Sequence, residues 1–203
     1  MQIIEKKDDR PFVLIGSGGH SKVVHSMLLE NQLKILGVCE PYNAEKDRKV
    51  WRGSQVLGDD LELLKYVSSE IFIANGIGFA DLGVRRRQVY DFFNQKGYVF
   101  PGLIHPNAYV DKSVIIRNGV QIMAGCVIQA DVVIGENSVI NTGVLIDHDS
   151  VIGANVHIAP GAKLCGGVTI GSGSYVGAGS VVIQGAEIQA DKFVKALTLV
   201  KCN

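Results

Sequence analysis

The sequence has no excess charge of either sign and no obvious membrane-directed segment. Lys+Arg and Asp+Glu each number 20 among 203 residues, so the net charge gives no reason to expect a nucleic acid or an anionic membrane as partner. Residues 1–10 are charged, and no apolar run behind them is long enough for a signal peptide or a membrane span. The hydrophobic content of 47% is that of a folded, soluble chain. Because the balanced charge favours neither a nucleic acid nor a membrane, we expect a small-molecule partner.

Cysteine is also scarce, and its spacing is uninformative. The four cysteines show no CxxC pairing, so they predict neither a zinc site nor a disulfide framework. Two of them, Cys126 and Cys165, fall on positions of a repeat and are expected to be filler. Cysteines without disulfide partners fit a reducing compartment, and we expect the protein in the cytoplasm.

The second half of the chain has one dominant feature, an aliphatic residue at every sixth position. The pattern runs from Ile104 to Val194 through sixteen consecutive positions without a slip. Four residues after each aliphatic there is usually a compact residue, as at Val114, Cys126 and Ser138. A helix repeats near 3.6 residues and a strand alternates at 2, so neither explains a period of six. The hexapeptide period predicts a parallel β-helix, with one short strand and one turn per repeat.

In such a β-helix three hexapeptides form one triangular coil of about eighteen residues. Successive coils lie about 4.8 Å apart, so about five coils reach a height on the order of 25 Å. Each aliphatic side chain then packs on its counterpart in the next coil, and a single repeat has no core of its own. The spacing does not determine the handedness.

The first half of the chain opens like a Rossmann-like unit. Residues 12–15 are apolar, a glycine-rich turn follows at 16–20, and a helix is expected from about residue 22. Glycines allow the backbone to approach a phosphate, and a helix N-terminus favours an anion. The dinucleotide fingerprint would need a third glycine where Ser21 stands, so we expect a nucleoside diphosphate and not NAD.

Three further segments are of interest in this half. A strand over 34–40 ends at Glu40, which either contacts a ribose hydroxyl or simply ends the strand. A strand over 71–74 leads into a loop at Asn75, at a carboxyl end of the sheet, where ligands of open α/β sheets bind. A helix over 82–95 carries three consecutive arginines, 85–87, of which one faces either the loop and a phosphate or solvent.

These elements predict two domains. A strand over 98–104 leads from the first to the second, with His105 and Pro106 at the joint. We expect an α/β Rossmann-like domain at 1–104 and a β-helix at 105–203.

The most conspicuous polar cluster of the repeats surrounds His148. Asp147 and Asp149 flank this histidine, and His157 follows nine residues later, half a coil away. An imidazole beside a carboxylate has the raised proton affinity and the fixed tautomer that a general base needs. The same sequence is also compatible with a histidine that is simply exposed to solvent in a turn. The two histidines have no third ligand at a suitable spacing, so we expect no metal.

Three segments together give a specific resemblance that covers almost the whole chain. The turn at 16–20, the joint Leu103-Ile104-His105-Pro106 and the run 141–171 resemble the bacterial nucleotide-aminosugar N-acetyltransferases of the left-handed β-helix superfamily. That group also contains relatives that O-acetylate sialic acid. The resemblance implies a left-handed solenoid, acetyl-CoA as co-substrate and a homotrimer with its active sites between subunits.

The same resemblance implies roles for residues of the solenoid. The histidine at position 148 is the general base, and Asp149, where the family often has glutamate, orients it. The residue at His157 and the backbone near Gly166 contact acetyl-CoA. Asn141 lies beside the transferred acetyl group or the sugar. The end of the chain lacks the Gly-x-Pro-Ala-Lys tail of many hexapeptide acyltransferases.

For the first domain, the resemblance implies nucleotide contacts. The loop at Asn75 and the glycine-rich turn hold the nucleoside diphosphate, the turn consisting of Gly16, Ser17, Gly18, Gly19 and His20. Glu40 and Pro41 stand where the family has a pair of acids that read the base, which leaves the nucleotide open.

We therefore predict an acetyl-CoA-dependent N-acetyltransferase. Its acceptor is the amine of a nucleotide-linked amino sugar, which we expect to be a 4-amino-4,6-dideoxyhexose. Two alternatives remain open at this point, an O-acetyltransferase of a sialic acid or related sugar and a non-enzymatic solenoid scaffold.

Overall fold

The computed structural model describes residues 8–40 and 48–202. Pro41 and residues 1–7, on which parts of the sequence predictions rest, lie outside the described residues. The contacts divide the chain into two compact units, the first ending at Pro101 and the second beginning at Gly102.

The first unit is an α/β fold with a five-stranded sheet. The sheet order is β3-β4-β2-β1-β5, and all pairings are parallel except that of β3 with β4. The elements are β1 (Phe12–Ile15), α1 (Gly19–Glu30), β2 (Ile35–Cys39), β3 (Val50–Trp51), β4 (Ser54–Gly58), a 3-10 helix (Asp60–Lys65), β5 (Phe72–Asn75) and α2 (Val84–Gln95).

Strand β1 lies at the point where the sheet order reverses. All four of its residues are apolar and fully buried, because β2 pairs on one side of it and β5 on the other. The loops that leave the carboxyl ends of β1 and β5 therefore lie side by side, which is where open α/β sheets bind ligands. The predicted Rossmann-like opening is confirmed.

Some predicted elements differ in detail from the structure. The first helix begins at Gly19 and not near residue 22. The second helix begins at Val84 and not at Leu82, because Leu82 and Gly83 both have positive φ, at 57° and 80°. The predicted strand over 98–104 is interrupted: Val99 forms an isolated bridge with Phe72, and only the last two residues form a strand. That strand, Leu103–Ile104, pairs with Gln121–Ile122 and so continues the repeats.

The second unit is a parallel β-helix of two-residue strands. They form three parallel sheets of six, five and six strands, and each strand pairs with the one eighteen residues later, as Ile128 does with Ile146. The strands are β6 (Leu103–Ile104), β7 (Tyr109–Val110), β8 (Ile115–Ile116), β9 (Gln121–Ile122), β10 (Val127–Ile128), β11 (Val133–Ile134), β12 (Val139–Ile140), β13 (Leu145–Ile146), β14 (Val151–Ile152), β15 (His157–Ile158), β16 (Lys163–Leu164), β17 (Thr169–Ile170), β18 (Tyr175–Val176), β19 (Val181–Val182), β20 (Glu187–Ile188), β21 (Phe193–Val194) and β22 (Leu199–Val200).

The second residue of each strand is the predicted aliphatic, and it packs in a continuous core. From Ile116 to Ile188 these residues are at most 5% exposed, with the compact residues between them equally buried. The repeat extends one strand beyond the prediction, to Val200. The predicted period and eighteen-residue register are confirmed.

The turns repeat with the same period. From residue 119 to residue 197, every sixth residue has positive φ. Glycine occupies most of these positions, and the others are Asp131, Asn137, Asp149, Asn155, Asp191 and Leu197. Asp and Asn tolerate the left-handed conformation better than other side chains, so the turn alone accounts for an acid at Asp149. Among the described residues, no helix has the length and apolar character to cross a membrane.

Candidate active site

The glycine-rich turn after β1 borders a cavity of about 730 Å³ in the first unit. Gly16 begins the turn with φ of 99°, where a Cβ would lie 2.9 Å from Ser21 Oγ. Helix α1 starts at Gly19, and no hydrogen bond from a side chain of the described residues caps it. The lining of the cavity includes the whole turn predicted to hold a diphosphate, together with the loop 76–80 that follows β5.

Ser21 joins these two loops. Its hydroxyl is fully buried and donates to the carbonyl of Gly76 at 2.8 Å, while the Gly76 amide donates to the carbonyl of Ile15 at the same distance. A Cβ at Gly76 would lie 2.6 Å from the Ser21 hydroxyl oxygen, so the loops pack without spare room. Ser21, which stands where the dinucleotide fingerprint has its third glycine, therefore connects the two loops that line the cavity.

A buried arginine, Arg86, holds the loop after β5 through hydrogen bonds to its backbone carbonyls. Arg86 is 1% exposed, and its Nη1 donates to the carbonyls of Asn75 at 2.9 Å and Ile77 at 3.0 Å. The Asn75 side chain is buried as well, donating to the Arg86 carbonyl at 3.0 Å and accepting from the Ile77 amide at 3.2 Å. Burial lowers the pKa of Arg86 to about 9. Asn75 therefore shapes the loop, while Gly76, Ile77 and their successors line the cavity; a nucleotide contact of Asn75 stays a prediction.

Glu40 lies just after β2, as predicted, and is 5% exposed. Its backbone amide donates to the carbonyl of Gly58 at 2.8 Å, and its carboxylate forms an ion pair with Arg48 at 3.3 Å. Glu40 is not part of the lining of the glycine-turn cavity. Its contact with a nucleotide stays a prediction.

His148 stands on an edge of the solenoid, in the turn after β13. Its Nδ1 and Asp149 Oδ2 are 2.7 Å apart, and both side chains are more than half exposed, at 53% and 65%. The ring lies against Gly166 of the next coil, where an added Cβ would be 2.7 Å from both Cε1 and Nε2. The Gly167 amide donates to the His148 carbonyl at 2.8 Å, so the two coils are also joined by their backbones. The imidazole is thus held on two sides and exposed to solvent.

The carboxylates around His148 raise its pKa above the ordinary value of 6.5. The hydrogen bond that His148 donates to the Asp149 carboxylate is the largest cause, followed by the negative charge of Asp147. A pair of this kind keeps one tautomer and makes the imidazole a stronger proton acceptor.

Replacing Asp149 with asparagine is expected to move the acidic limb of the kcat/KM profile to lower pH. A proton-accepting imidazole must be neutral, so activity is lost as pH falls through its pKa. Loss of the carboxylate brings the pKa of His148 back toward its ordinary value. Asparagine keeps the turn, since Asn137 and Asn155 hold the same position in other hexapeptides, with φ of 55° and 56°.

Asp131→Asn is the matched control for this pH profile. Asp131 occupies the same turn position one coil earlier, with φ of 61°, but follows an alanine and not a histidine. Its profile should coincide with that of the unmodified chain. An unmoved limb in Asp149→Asn would contradict the role given to that carboxylate.

His157 lies on another part of the coil, on β15, next to Asn141. Asn141 Nδ2 and His157 Nε2 are 3.4 Å apart, and the Asn141 Oδ1 accepts from the Thr142 amide at 2.8 Å. The His157 ring stacks on Tyr175 one coil later at 5.2 Å, and Tyr175 stacks on Phe193 at 5.0 Å. The structure therefore brings together His157, which the resemblance assigns to acetyl-CoA, and Asn141, which it assigns to the acetyl group or the sugar. The aromatic stack orients the His157 ring.

Among the described residues, no group of three or more His, Cys, Asp or Glu side chains could hold a metal ion. The sequence did not predict the contacts by which Ser21 and Arg86 hold the loops, nor the aromatic stack. The eighteen-residue spacing of His157, Tyr175 and Phe193 was a signal that could have revealed the stack, whereas only the loop contacts reveal the other two.

Comparison with known proteins identifies the class. Residues 12–92 match the PglD N-terminal domain, and residues 113–148 and 149–184 match the bacterial transferase hexapeptide family of six repeats. The chain belongs to the hexapeptide-repeat acyltransferases of the left-handed β-helix superfamily, among those with a PglD-type N-terminal domain.

Two similar solved structures extend over nearly the whole chain. The acetyltransferase domain of PglB from Neisseria gonorrhoeae, in complex with acetyl coenzyme A, is 30% identical with a TM-score of 0.87, covering 96% of this chain and 92% of that one. PerB from Caulobacter crescentus, in complex with CoA and GDP-perosamine, is 34% identical with a TM-score of 0.84, covering 95% and 89%. WeeI from Acinetobacter baumannii, at 21% identity and a TM-score of 0.65, shares the fold.

A curated relative gives less information. An uncharacterized protein of Acanthamoeba polyphaga mimivirus is 31% identical over 122 residues, which is 60% of this chain and 23% of that protein. The present chain thus spans about a quarter of the length of that relative.

Proposed function

We propose that this chain transfers the acetyl group of acetyl-CoA to the amine of a nucleotide-linked amino sugar. The observation that carries the proposal is the exposed imidazole of His148, held by Asp149 on a solenoid edge. The relatives support the chemistry, since PerB was solved with CoA and GDP-perosamine and the PglB domain with acetyl coenzyme A. The expected acceptor is a 4-amino-4,6-dideoxyhexose, attached to a nucleotide that the chain itself does not identify.

The mechanism needs one proton acceptor and no covalent intermediate on the protein. An ammonium group has no lone pair, so the amine reacts in its neutral form or loses a proton during attack on the thioester carbonyl. His148 takes that proton at Nε2, and Asp149 stabilises the imidazolium through Nδ1. Backbone N–H groups near Gly166 stabilise the tetrahedral oxyanion, and its collapse breaks the C–S bond. The thiolate that leaves takes the proton back from His148.

The remaining predicted residues bind the two substrates. Asn141 and His157 contact acetyl-CoA or the transferred group, and the stack on Tyr175 keeps the His157 ring in one orientation. The glycine-rich turn binds the diphosphate in the cavity of the first unit, where the free N–H groups of a helix start favour an anion.

We also propose that the active unit is a homotrimer in the cytoplasm. Outward-facing strand residues of the solenoid are apolar and exposed in the single chain, among them Ile115, Leu145 and Val151 at 39–44% exposure. Association would bury these side chains, as the hydrophobic effect favours. The buried free thiols of Cys39 and Cys126 suit a reducing compartment. Sedimentation equilibrium should give three times the chain mass of 21.8 kDa.

A panel of nucleotide sugars tests the function. UDP-, GDP- and dTDP-linked 4-amino-4,6-dideoxyhexoses are each mixed with acetyl-CoA, and the thiol released is measured. We expect release with at least one amino sugar and none with the matching 4-hydroxy sugars. If thiol is released only with hydroxyl acceptors or a sialic acid, the protein is an O-acetyltransferase. If the protein does not bind coenzyme A, the remaining interpretation is a non-enzymatic solenoid scaffold.

A further inference from the structure

The three consecutive arginines of the sequence have three different environments in the structure. Arg86 is buried and holds the loop after β5. Arg87 is 60% exposed and pairs with Asp91 one helical turn later, at 3.6 Å. Arg85 is the member of the run that lines the glycine-turn cavity. The three arginines are consecutive on one helix, so the helix phase decides that Arg85 is the one in the lining.

Asp60 holds Arg85 at this position. Arg85 Nη2 donates to Asp60 Oδ2, and the Arg85 backbone amide donates to Asp81 Oδ2 at 2.9 Å. The Asp60 side chain is 14% exposed, whereas that of Arg85 is 56% exposed. The carboxylate is thus the fixed partner, and the guanidinium is the one that still faces solvent.

The charges around the cavity give this cation a role. The lining contains one carboxylate, Asp60, and one guanidinium, Arg85, together with the imidazole of His20. Without Arg85 no arginine or lysine of the described lining would offset the Asp60 carboxylate. A guanidinium has five N–H donors in a planar fork, so the contact from Nη2 to Asp60 leaves donors for a second anion.

We infer that Arg85, positioned by Asp60, binds the diphosphate of the nucleotide sugar together with the start of α1. This rests on the proposed function, and it assigns a binding role to a residue outside the glycine-rich turn. Backbone N–H groups of the turn and the guanidinium of Arg85 line the same cavity and contact the same anion. Asp60 fixes the arginine side chain before the ligand arrives, which reduces the ordering needed on binding.

The test is calorimetric titration of the full chain with UDP, GDP and dTDP, each alone. For whichever diphosphate binds, Arg85→Gln should weaken binding about 10-fold or more, the range for losing a charge-assisted hydrogen bond. Arg87→Gln, which removes the same charge from the same helix away from the cavity, should leave binding unchanged. The KM for acetyl-CoA should stay the same in both variants, which shows that the protein remains folded.

A second variant tests the part played by Asp60. In the Arg85→Gln background the carboxylate repels the diphosphate, so adding Asp60→Asn should recover part of the lost affinity. Equal losses in Arg85→Gln and Arg87→Gln, or an unchanged affinity in Arg85→Gln, would overturn the inference and leave the proposed function intact. Absence of binding of all three diphosphates to the unmodified chain would instead overturn both.

Discussion

Replacing His148 with alanine is expected to lower the turnover of acetyl transfer about 100-fold or more, the range for loss of a general base. The imidazole is 53% exposed and is not part of the hydrophobic core of the solenoid, so the variant should fold and keep its affinity for acetyl-CoA. Turnover is measured by thiol release at saturating substrates, and coenzyme affinity by titration. Added imidazole should restore part of the rate, because it replaces the missing proton acceptor.

Lys112→Ala is the matched control. Lys112 is exposed and occupies the same turn position as His148 two coils earlier, so this variant tests whether truncating a side chain on that edge matters in itself. It should have normal turnover. Near-normal turnover in His148→Ala would remove this histidine from the mechanism.

Replacing Gly166 with alanine is expected to lower turnover by about 10- to 100-fold, because displacing a catalytic group by about 1 Å has effects of that size. The added Cβ would lie 2.7 Å from Cε1 and Nε2 of His148, closer than real Cβ contacts allow, so the ring must move. Gly166 is not among the glycines with positive φ, so alanine at this position brings no backbone strain. The change therefore acts on the imidazole through contact alone.

The matched control for this prediction is the neighbouring glycine. Gly167 has φ of +66° and no atom within 4 Å of an added Cβ, so Gly167→Ala strains the turn without touching the ring. That variant should unfold at a lower temperature, and while folded it should keep its turnover.

A double variant separates the ring from other roles of Gly166. If the effect passes through His148, adding Gly166→Ala to His148→Ala should change the turnover no further. A full additional loss would mean that Gly166 acts by itself, for example through the predicted contact of its backbone with acetyl-CoA.

Much of the fold was predictable because the repeats are local. The aliphatic period of six specified the strands, the inward-facing residues and the register of eighteen, since a solenoid pairs each coil only with its neighbours. The glycine-rich turn after Phe12–Ile15 predicted the Rossmann-like opening for a similar reason, because a strand, a turn and a helix are consecutive in the chain.

The candidate site was predictable only in part. The pairing of His148 with Asp149 joins adjacent residues, and sequence was sufficient to suggest it. Sequence did not show that Asp149 also has the positive φ of a turn position, so its presence has a structural reason as well as a chemical one. The side chain of Asn75 was predicted in a binding loop, but it is buried under that loop, because Arg86 and Ile77 use its polar atoms.

What the sequence by itself determined is the existence of a stacked core and the turn positions along it, since both depend on residues at fixed short spacings. The tertiary structure decided which arginine of 85–87 reaches the cavity and which glycine lies against the imidazole. Those outcomes depend on helix phase and on contacts between coils eighteen residues apart. A shift of one position along a helix or strand turns a side chain from the cavity toward the core or the solvent.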